Sequence, residues 1–264
     1  MVRRPLGNHH DGPDTLLVTP DTKQTDAVRI ATEGDPDELR NLIRRARVVL
    51  WDFDGPICRL FARHSAEGVA RDLVSWLEGR GLHGVLTGAE RESLDPHVIL
   101  RAVGHRYPGS DLAVELEERL TQEELRAAAT ALPTAYADPL IRTWTAVGAR
   151  LAVASNNSPR VIRQYLTGRD LLPCFSPHVY GRTADLQLLK PDPHCLNRAL
   201  NAMGAAPPDA LMIGDTPTDC LAAKEAGVPF LGYARSDPAI TSLRAAGAEV
   251  VLPSLEPLLE LLRR

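Results

Sequence analysis

Short apolar runs recur through the second half of the chain: Leu151-Ala152-Val153-Ala154, Ala210-Leu211-Met212-Ile213, Val228-Pro229-Phe230-Leu231 and Val250-Val251-Leu252. Val48-Val49-Leu50-Trp51 is an earlier run of the same kind. Runs that stay apolar instead of alternating with polar residues predict strands covered on both faces, as in a parallel sheet. Between them recurs an Asp, Ser or Thr followed at once by Pro, at 35–36, 95–96, 138–139, 158–159, 192–193, 216–217 and 237–238. The polar residue can cap free N–H groups and the proline presets the first turn, so each pair predicts a helix start. Gly148, Gly204, Gly227 and Gly247 fall where several of these helices should stop. Strand and helix in alternation predict an α/β fold with a doubly wound, Rossmann-like parallel sheet.

Residues 60–133 interrupt that alternation. Apolar positions recur there at helical spacing (Val69, Leu73, Trp76, Leu77, then Leu112, Leu116, Leu120), and Thr121-x-x-Glu124 reads as a capping box opening a further helix. The expected organisation is a core of residues 35–59 and 134–264 and an inserted all-helical cap of residues 60–133. Inserted after the first strand, the cap would stand over the carboxyl edge of the sheet, where open α/β folds bind ligands. Trp76 and Trp144 lie in helical periodic runs and are expected in cores. Residues 1–34 have no sustained period and read as a flexible extension. Its His9-His10-Asp11 run lies between glycines and is given no metal role.

Composition narrows the classes of function. A formal charge of -4 and a pI near 6.1 supply no basic field for a nucleic acid. Cys58, Cys174, Cys195 and Cys220 form no C-x-x-C pair, which argues against a disulfide framework and a structural zinc site. Near the N-terminus, Arg3 and Arg4 precede Pro, Gly, His and Asp and no apolar stretch, so neither a secretory signal nor a membrane span is expected. The expected location is cytoplasmic, as a monomer or homodimer. Of 30 basic residues only Lys23, Lys190 and Lys224 are lysine, which singles out any lysine near a motif.

The chemistry concentrates at strand ends. Asp52-Phe53-Asp54-Gly55 follows the first strand directly, with Gly55 allowing a tight turn. Two carboxylates there suit divided labour: Asp52 attacks phosphorus as nucleophile, and Asp54 serves as general acid, then base. A carboxylate and a phosphate repel, so a cation is needed, and Mg²⁺ binds through carboxylates together with phosphate oxygens. Asp215, in Gly214-Asp215-Thr216-Pro217-Thr218-Asp219, is the further metal ligand expected, with Asp219 a ligand or the support of one. Ser155 and Asn156, ending the 151–154 run, suit the phosphoryl oxygens. Lys190, before Pro191, would screen Asp52 from the phosphate.

In this order the elements D-x-D-G, Ser after the next strand, K-P-x-P and G-D-x-x-x-D resemble the haloacid dehalogenase-like superfamily, over roughly residues 46–262. The helical insertion looks like the cap of its phosphoglycolate phosphatase and β-phosphoglucomutase branch. The resemblance implies a Mg²⁺-dependent phosphatase acting on a small phosphorylated metabolite through an aspartyl-phosphate on Asp52. It also implies that Asp54 lends its backbone carbonyl to the metal. Pro56 departs from the usual Thr or Val, and Arg59-Leu60 from the usual Asp-Ser, so the branch's substrate is not carried over. Asp54 speaks against a 2-haloacid dehalogenase, and the lack of lysine from 24 to 189 against a phosphonate-cleaving relative. A phosphomutase and a catalytically silent binding subunit stay open as alternatives. Arg59, Arg63, His64, Arg101 and His105 are where a cap would meet an anionic substrate.

Overall fold

The computed structural model describes residues 36–263, so the extension expected over 1–34 lies outside the described residues. Helix α1 (Pro36–Arg45) leads into β1 (Val48–Trp51). A short strand β2 (Cys58–Arg59) then opens a helical stretch, α2 (Ala66–Gly79), α3 (Gly88–Arg91), α4 (Pro96–Arg106) and α5 (Asp111–Ala128), which β3 (Leu132–Pro133) closes. The alternation resumes with α6 (Ala137–Ala146), β4 (Arg150–Ala154), α7 (Pro159–Gly168), α8 (Leu172–Phe175) and β5 (Val179–Tyr180). It ends with α9 (His194–Met203), β6 (Ala210–Gly214), α10 (Pro217–Glu225), β7 (Phe230–Tyr233), α11 (Asp237–Ala246), β8 (Val250–Leu252) and α12 (Glu256–Leu262).

Six strands form one parallel sheet in the order β5-β4-β1-β6-β7-β8. The chain runs outward from β1 to β4 and β5, then returns to the other side of β1 for β6 onward. That reversal opens a crevice at the carboxyl ends of β4, β1 and β6. Successive residues point to opposite faces: Val49, Trp51, Leu151, Val153, Leu211 and Ile213 enter one apolar cluster. Val48, Leu50, Ala152, Ala154, Ala210 and Met212 enter the other. Both faces are therefore covered, which is why these strands read as unbroken apolar runs. The chain is α/β with a doubly wound parallel sheet, as its pattern predicts.

The helical stretch has its own apolar cluster, built on Val69, Leu73, Leu77, Ile99, Val103, Leu116 and Leu120, and Leu186 and Leu189 join it from the core side. At Gly104 an added Cβ would lie 2.4 Å from Leu186 Cβ, so only glycine lets α4 come this close. The chain leaves and re-enters the core through an antiparallel neck in which Cys58 pairs with Pro133 and Arg59 with Leu132.

Some local expectations change. Thr121 and Glu124 lie inside α5, whose start is capped by Ser110 Oγ accepting from Ala113 N at 3.2 Å. No proline or glycine interrupts residues 111–128, so the helix runs through the supposed box. Trp76 is only half-buried, with the guanidinium groups of Arg80 and Arg119 at 4.4 and 5.3 Å from its ring. Trp144 is core, packed edge-on to Trp51 at 5.7 Å. Helices α6, α9 and α11 begin behind Tyr136, Pro193 and Ser236 instead of at their Asp-Pro pairs. Strand β7 starts at Phe230, since Pro229 has no N–H to give a ladder.

Candidate active site

Asp52 leaves β1 still held by the sheet, its N–H donating to Ile213 O at 2.9 Å. The chain then turns tightly, Cys58 N–H donating to Phe53 O at 3.1 Å and Gly55 N–H to Cys58 O at 2.6 Å. Gly55 has φ +105°, and a Cβ there would lie 2.2 Å from the Asp215 carboxyl carbon. Glycine is thus required twice, by the conformation and by the approach of the β1 loop to the β6 loop. Pro56 follows this turn, where its missing N–H is not needed by the loop's hydrogen bonds.

Lys190 reaches in from the loop before α9 and is wholly buried. Its Nζ donates to Asp52 Oδ1 at 2.8 Å, to Ala154 O at 3.1 Å and to Asp219 Oδ1. The opposed carboxylates outweigh burial and hold its pKa above the ordinary lysine value. Asp219 is buried and fully engaged: its Oδ2 accepts from Asp215 N at 3.2 Å, Thr216 N at 3.0 Å and Thr216 Oγ1 at 2.7 Å. Gly214 makes room for it, because a Cβ there would lie 2.4 Å from Asp219 Cβ.

Asp215 differs. Its Oδ1 is buried and finds no hydrogen-bond partner among the described residues. Oxygens of Asp52, Asp215 and Asp219 lie within 4.8 Å of one another. Burial, then the charges of Asp52 and Asp219, push Asp215 well above the usual carboxylate range. Asp52 is also raised, by burial and by Asp219, with Lys190 pulling the other way. Asp54 accepts from Leu60 N at 2.7 Å, and burial lifts it to about 7. Four acids line one cavity with a single ammonium, which only Asp52 and Asp219 reach, and one buried oxygen is unpartnered. A hard cation fits this all-oxygen donor set.

Ser155 and Asn156 leave β4 beside these groups. Ser155 Oγ donates to Asn157 Oδ1 at 3.0 Å. Asn156 brackets the Lys190 backbone, its Oδ1 accepting from Lys190 N at 2.7 Å and its Nδ2 donating to Lys190 O at 3.2 Å. The Asn156 amide is therefore engaged in holding the lysine. Asp52, Asp54, Ser155, Asn156, Lys190 and Asp215 all line one cavity of about 250 Å³, together with Asp219.

The roof of that cavity comes from the helical stretch and includes Asp95, His97 and Arg101. Of the five basic residues singled out by sequence, only Arg101 is there, donating to Lys190 O at 3.0 Å. His64 pairs with Glu123 at 2.9 Å, and Arg59 lines a separate cavity at the neck. Arg63 and His105 line neither. Sequence reasoning missed His97, Glu124, Arg182 and Asn157. His97 Nε2 lies 3.2 Å from Glu124 and its Nδ1 3.4 Å from Asp95. Although burial would lower it, these carboxylates raise His97 to about 9. Glu124, whose burial is outweighed by Arg182 and His97, falls to about 2. A signal existed: Leu116, Leu120 and Glu124 are spaced by four, so the acid continues the apolar stripe of α5 and had to be buried.

A parallel sheet with paired aspartates at its carboxyl edge and a helical insertion above them defines a doubly wound α/β protein with an acidic site at its topological switch point. Residues 46–227 match the family model of the haloacid dehalogenase-like hydrolases, and the chain belongs to that family. It is 38% identical over 121 residues to a phosphoglycolate phosphatase of Rhodospirillum rubrum, covering 45% of this chain and 48% of that one. It is 34% identical over 119 residues to a phosphoglycolate phosphatase of Thiobacillus denitrificans, covering 44% and 50%. The chain spans about half the length of the curated relatives it matches. A crystal structure of a predicted phosphatase from Clostridium acetobutylicum shares the fold with a TM-score of 0.60 at 20% identity, over 81% of this chain and 96% of that one. No helix among the described residues is long and apolar enough to cross a membrane.

Proposed function

We propose that the chain is a Mg²⁺-dependent phosphatase that hydrolyses a small phosphate monoester through an aspartyl-phosphate on Asp52. The observation that carries this reading is the gathering of Asp52, Asp54, Asp215 and Asp219 around one cavity at the mouth of β1, β4 and β6, with Lys190 bonded to Asp52 and Asp219. Asp52 attacks phosphorus, and the bond to the leaving oxygen breaks as Asp54 gives it a proton. Asp54, now a carboxylate, takes a proton from water, whose oxygen attacks the same phosphorus. Phosphate leaves and Asp52 is restored. A carboxyl held neutral to about 7 suits the first of these proton transfers. Lys190 opposes the rise that burial and Asp219 impose on Asp52 and offsets the charge of the transferring group.

Asp52 and Asp215 would hold Mg²⁺ with the Asp54 backbone carbonyl, while Asp219, whose oxygens are taken, orients Lys190 and the 215–216 backbone. Bound there, the ion would screen the carboxylates from the phosphate and withdraw charge from its oxygens. Ser155 supplies the hydroxyl for a phosphoryl oxygen and Asn156 keeps Lys190 in place. Residues 60–133 act as the cap over this site. A cavity of about 250 Å³ roofed by Arg101 and charged His97 favours a small alcohol half carrying an acid, in keeping with the phosphoglycolate phosphatases among the relatives. Free cysteines at 58, 174, 195 and 220 support a cytoplasmic location. The test is Mg²⁺-dependent phosphate release from an aryl phosphate and from phosphoglycolate, in the wild type and in Asp52→Asn. Release that survives the substitution would remove Asp52 as nucleophile.

A further inference from the structure

We infer that Glu124 is a positioning residue through which the seating of the helical insertion sets the orientation of Ser155 in the core. Its role toward phosphate rests on the phosphatase reading above. Glu124 belongs to α5, yet its wholly buried carboxylate accepts from two core groups of the loop after β4, Asn157 Nδ2 at 3.0 Å and Ser158 N at 3.1 Å. It also accepts from Arg182 Nη1 at 2.8 Å and lies 3.2 Å from His97 Nε2. Arg182, equally buried, is held by Glu117 Oε1 at 2.7 Å, Thr121 Oγ1 at 2.6 Å and Asn156 O at 3.1 Å. A carboxylate only accepts, so the amide of Asn157 must turn its NH₂ toward Glu124. Its carbonyl oxygen then faces Ser155 and, before phosphate binds, takes the hydroxyl proton at 3.0 Å, fixing Oγ in the rotamer from which that proton turns to a phosphoryl oxygen.

The relay is Glu124 to Asn157 to Ser155, whose Oγ also accepts from Asn157 N at 3.3 Å. Ser158 stands at the N-cap of α7, and the α5 carboxylate accepts from its backbone N–H, the part an N3 glutamate plays in a capping box. The loop is also pressed from behind, since a Cβ on Gly181 would lie 2.4 Å from Asn157 O. The same carboxylate holds His97, whose ring lines the same cavity as Ser155. One residue of the insertion therefore registers the roof of the site and its phosphate-facing floor together. When α5 lifts, both lose their reference, and Ser155 is set only while the insertion is seated.

The test is a thermodynamic cycle on the full chain, reading the affinity for inorganic phosphate by calorimetry with Mg²⁺ present. Glu124→Gln and Ser155→Ala should each weaken binding about tenfold, and the double variant no further than Ser155→Ala alone, because both act on one hydroxyl. Effects that multiply to about a hundredfold, as two unrelated lesions would, overturn the inference, as does wild-type affinity in Glu124→Gln. Asn157→Ala leaves the Glu124 and Arg182 pair intact and should match Glu124→Gln; it takes that place in the cycle if the glutamine variant does not fold. If the wild type binds no phosphate, the phosphatase reading falls on its own. Amide exchange over residues 155–158 then decides: faster in Glu124→Gln than in the wild type supports the relay, and equal rates overturn it.

Discussion

Two buried charged clusters sit on either side of the same cavity, and they are built on opposite terms. Around Glu124 the charges balance: Glu117, Glu124 and Asp95 face Arg182, His97 and Arg101, and each Glu124 oxygen has partners. Around Asp52 they do not, since four acids have one ammonium among them, which pairs only with Asp52 and Asp219, and Asp215 Oδ1 has no partner among the described residues. Burying a charge is costly unless it is paired and hydrogen-bonded. A balanced cluster therefore repays its own desolvation and fixes the packing. An unbalanced one stores repulsion that a bound cation relieves, and this imbalance distinguishes a site from a strut.

The largest effect that follows is on activity. Asp52→Asn is expected to lower phosphate release by more than about 10³-fold, with the far-ultraviolet dichroism unchanged. Glu124→Ala should act chiefly on folding. It leaves Arg182 buried without one of its two carboxylate partners, a loss of about 3–5 kcal/mol, read as a lower urea midpoint at constant slope. Should Asp52→Asn destabilise as much as Glu124→Ala, the two clusters would not differ in kind.

The difference also explains what the sequence discloses. Sheet residues face apolar clusters on both sides, so β1, β4, β6 and β8 are visible as unbroken runs, and the acids that end them are anchored by strand position alone. Asp52, Asp54, Ser155 and Asp215 could be read because each follows a strand end, Lys190 because it precedes Pro191 in a chain almost without lysine, and Asp219 from its spacing to Asp215. Glu124 and Arg182 have no such signal, lying 58 residues apart on elements that meet only in three dimensions. Thr121-x-x-Glu124 even carried a local meaning that proved false, since helix capping depends on where α5 starts, and Ser110 had already supplied the cap. Asp219 was half legible. Its spacing from Asp215 pointed to the site, but the contacts that occupy its oxygens come from Lys190 and from backbone geometry.

The balanced cluster should titrate as a folding unit. His97 stands at about 9 in the folded chain, above its unfolded value of 6.5. Its contribution is therefore fully present below pH 6.5 and is lost as pH rises through 9. Glu124, depressed to about 2 from 4.5, contributes above pH 4.5 and loses that contribution as pH falls through 2. Because the two shifts share one interaction, the alkaline limb is worth about 3 kcal/mol at most. Asp95, Glu124, Arg101 and Asp54 all act on His97 or through it. Comparing urea midpoints at pH 6 and pH 9.5, the wild type should lose stability that His97→Gln does not. Parallel pH dependence in the two proteins would remove His97 from the balance.

The unbalanced cluster gives the smallest stability change but the opposite sign. Asp215→Asn removes a carboxyl that folding must either neutralise or bury against repulsion, since burial and its neighbours push it well above the carboxylate range. In metal-free buffer the variant should be more stable than the wild type by about 1 kcal/mol, the usual scale for relief of a functional site's stored cost. Adding Mg²⁺ should reverse the order. A cation at a hundred times its dissociation constant adds about 2.7 kcal/mol to a protein that binds it only when folded, and Asp215→Asn would forfeit that gain. The crossing of the two melting temperatures as Mg²⁺ is titrated is the signature, and it needs no substrate. If Asp215→Asn is destabilising without metal, the Asp52 cluster is as balanced as that of Glu124, and the cation is not what its charge distribution awaits.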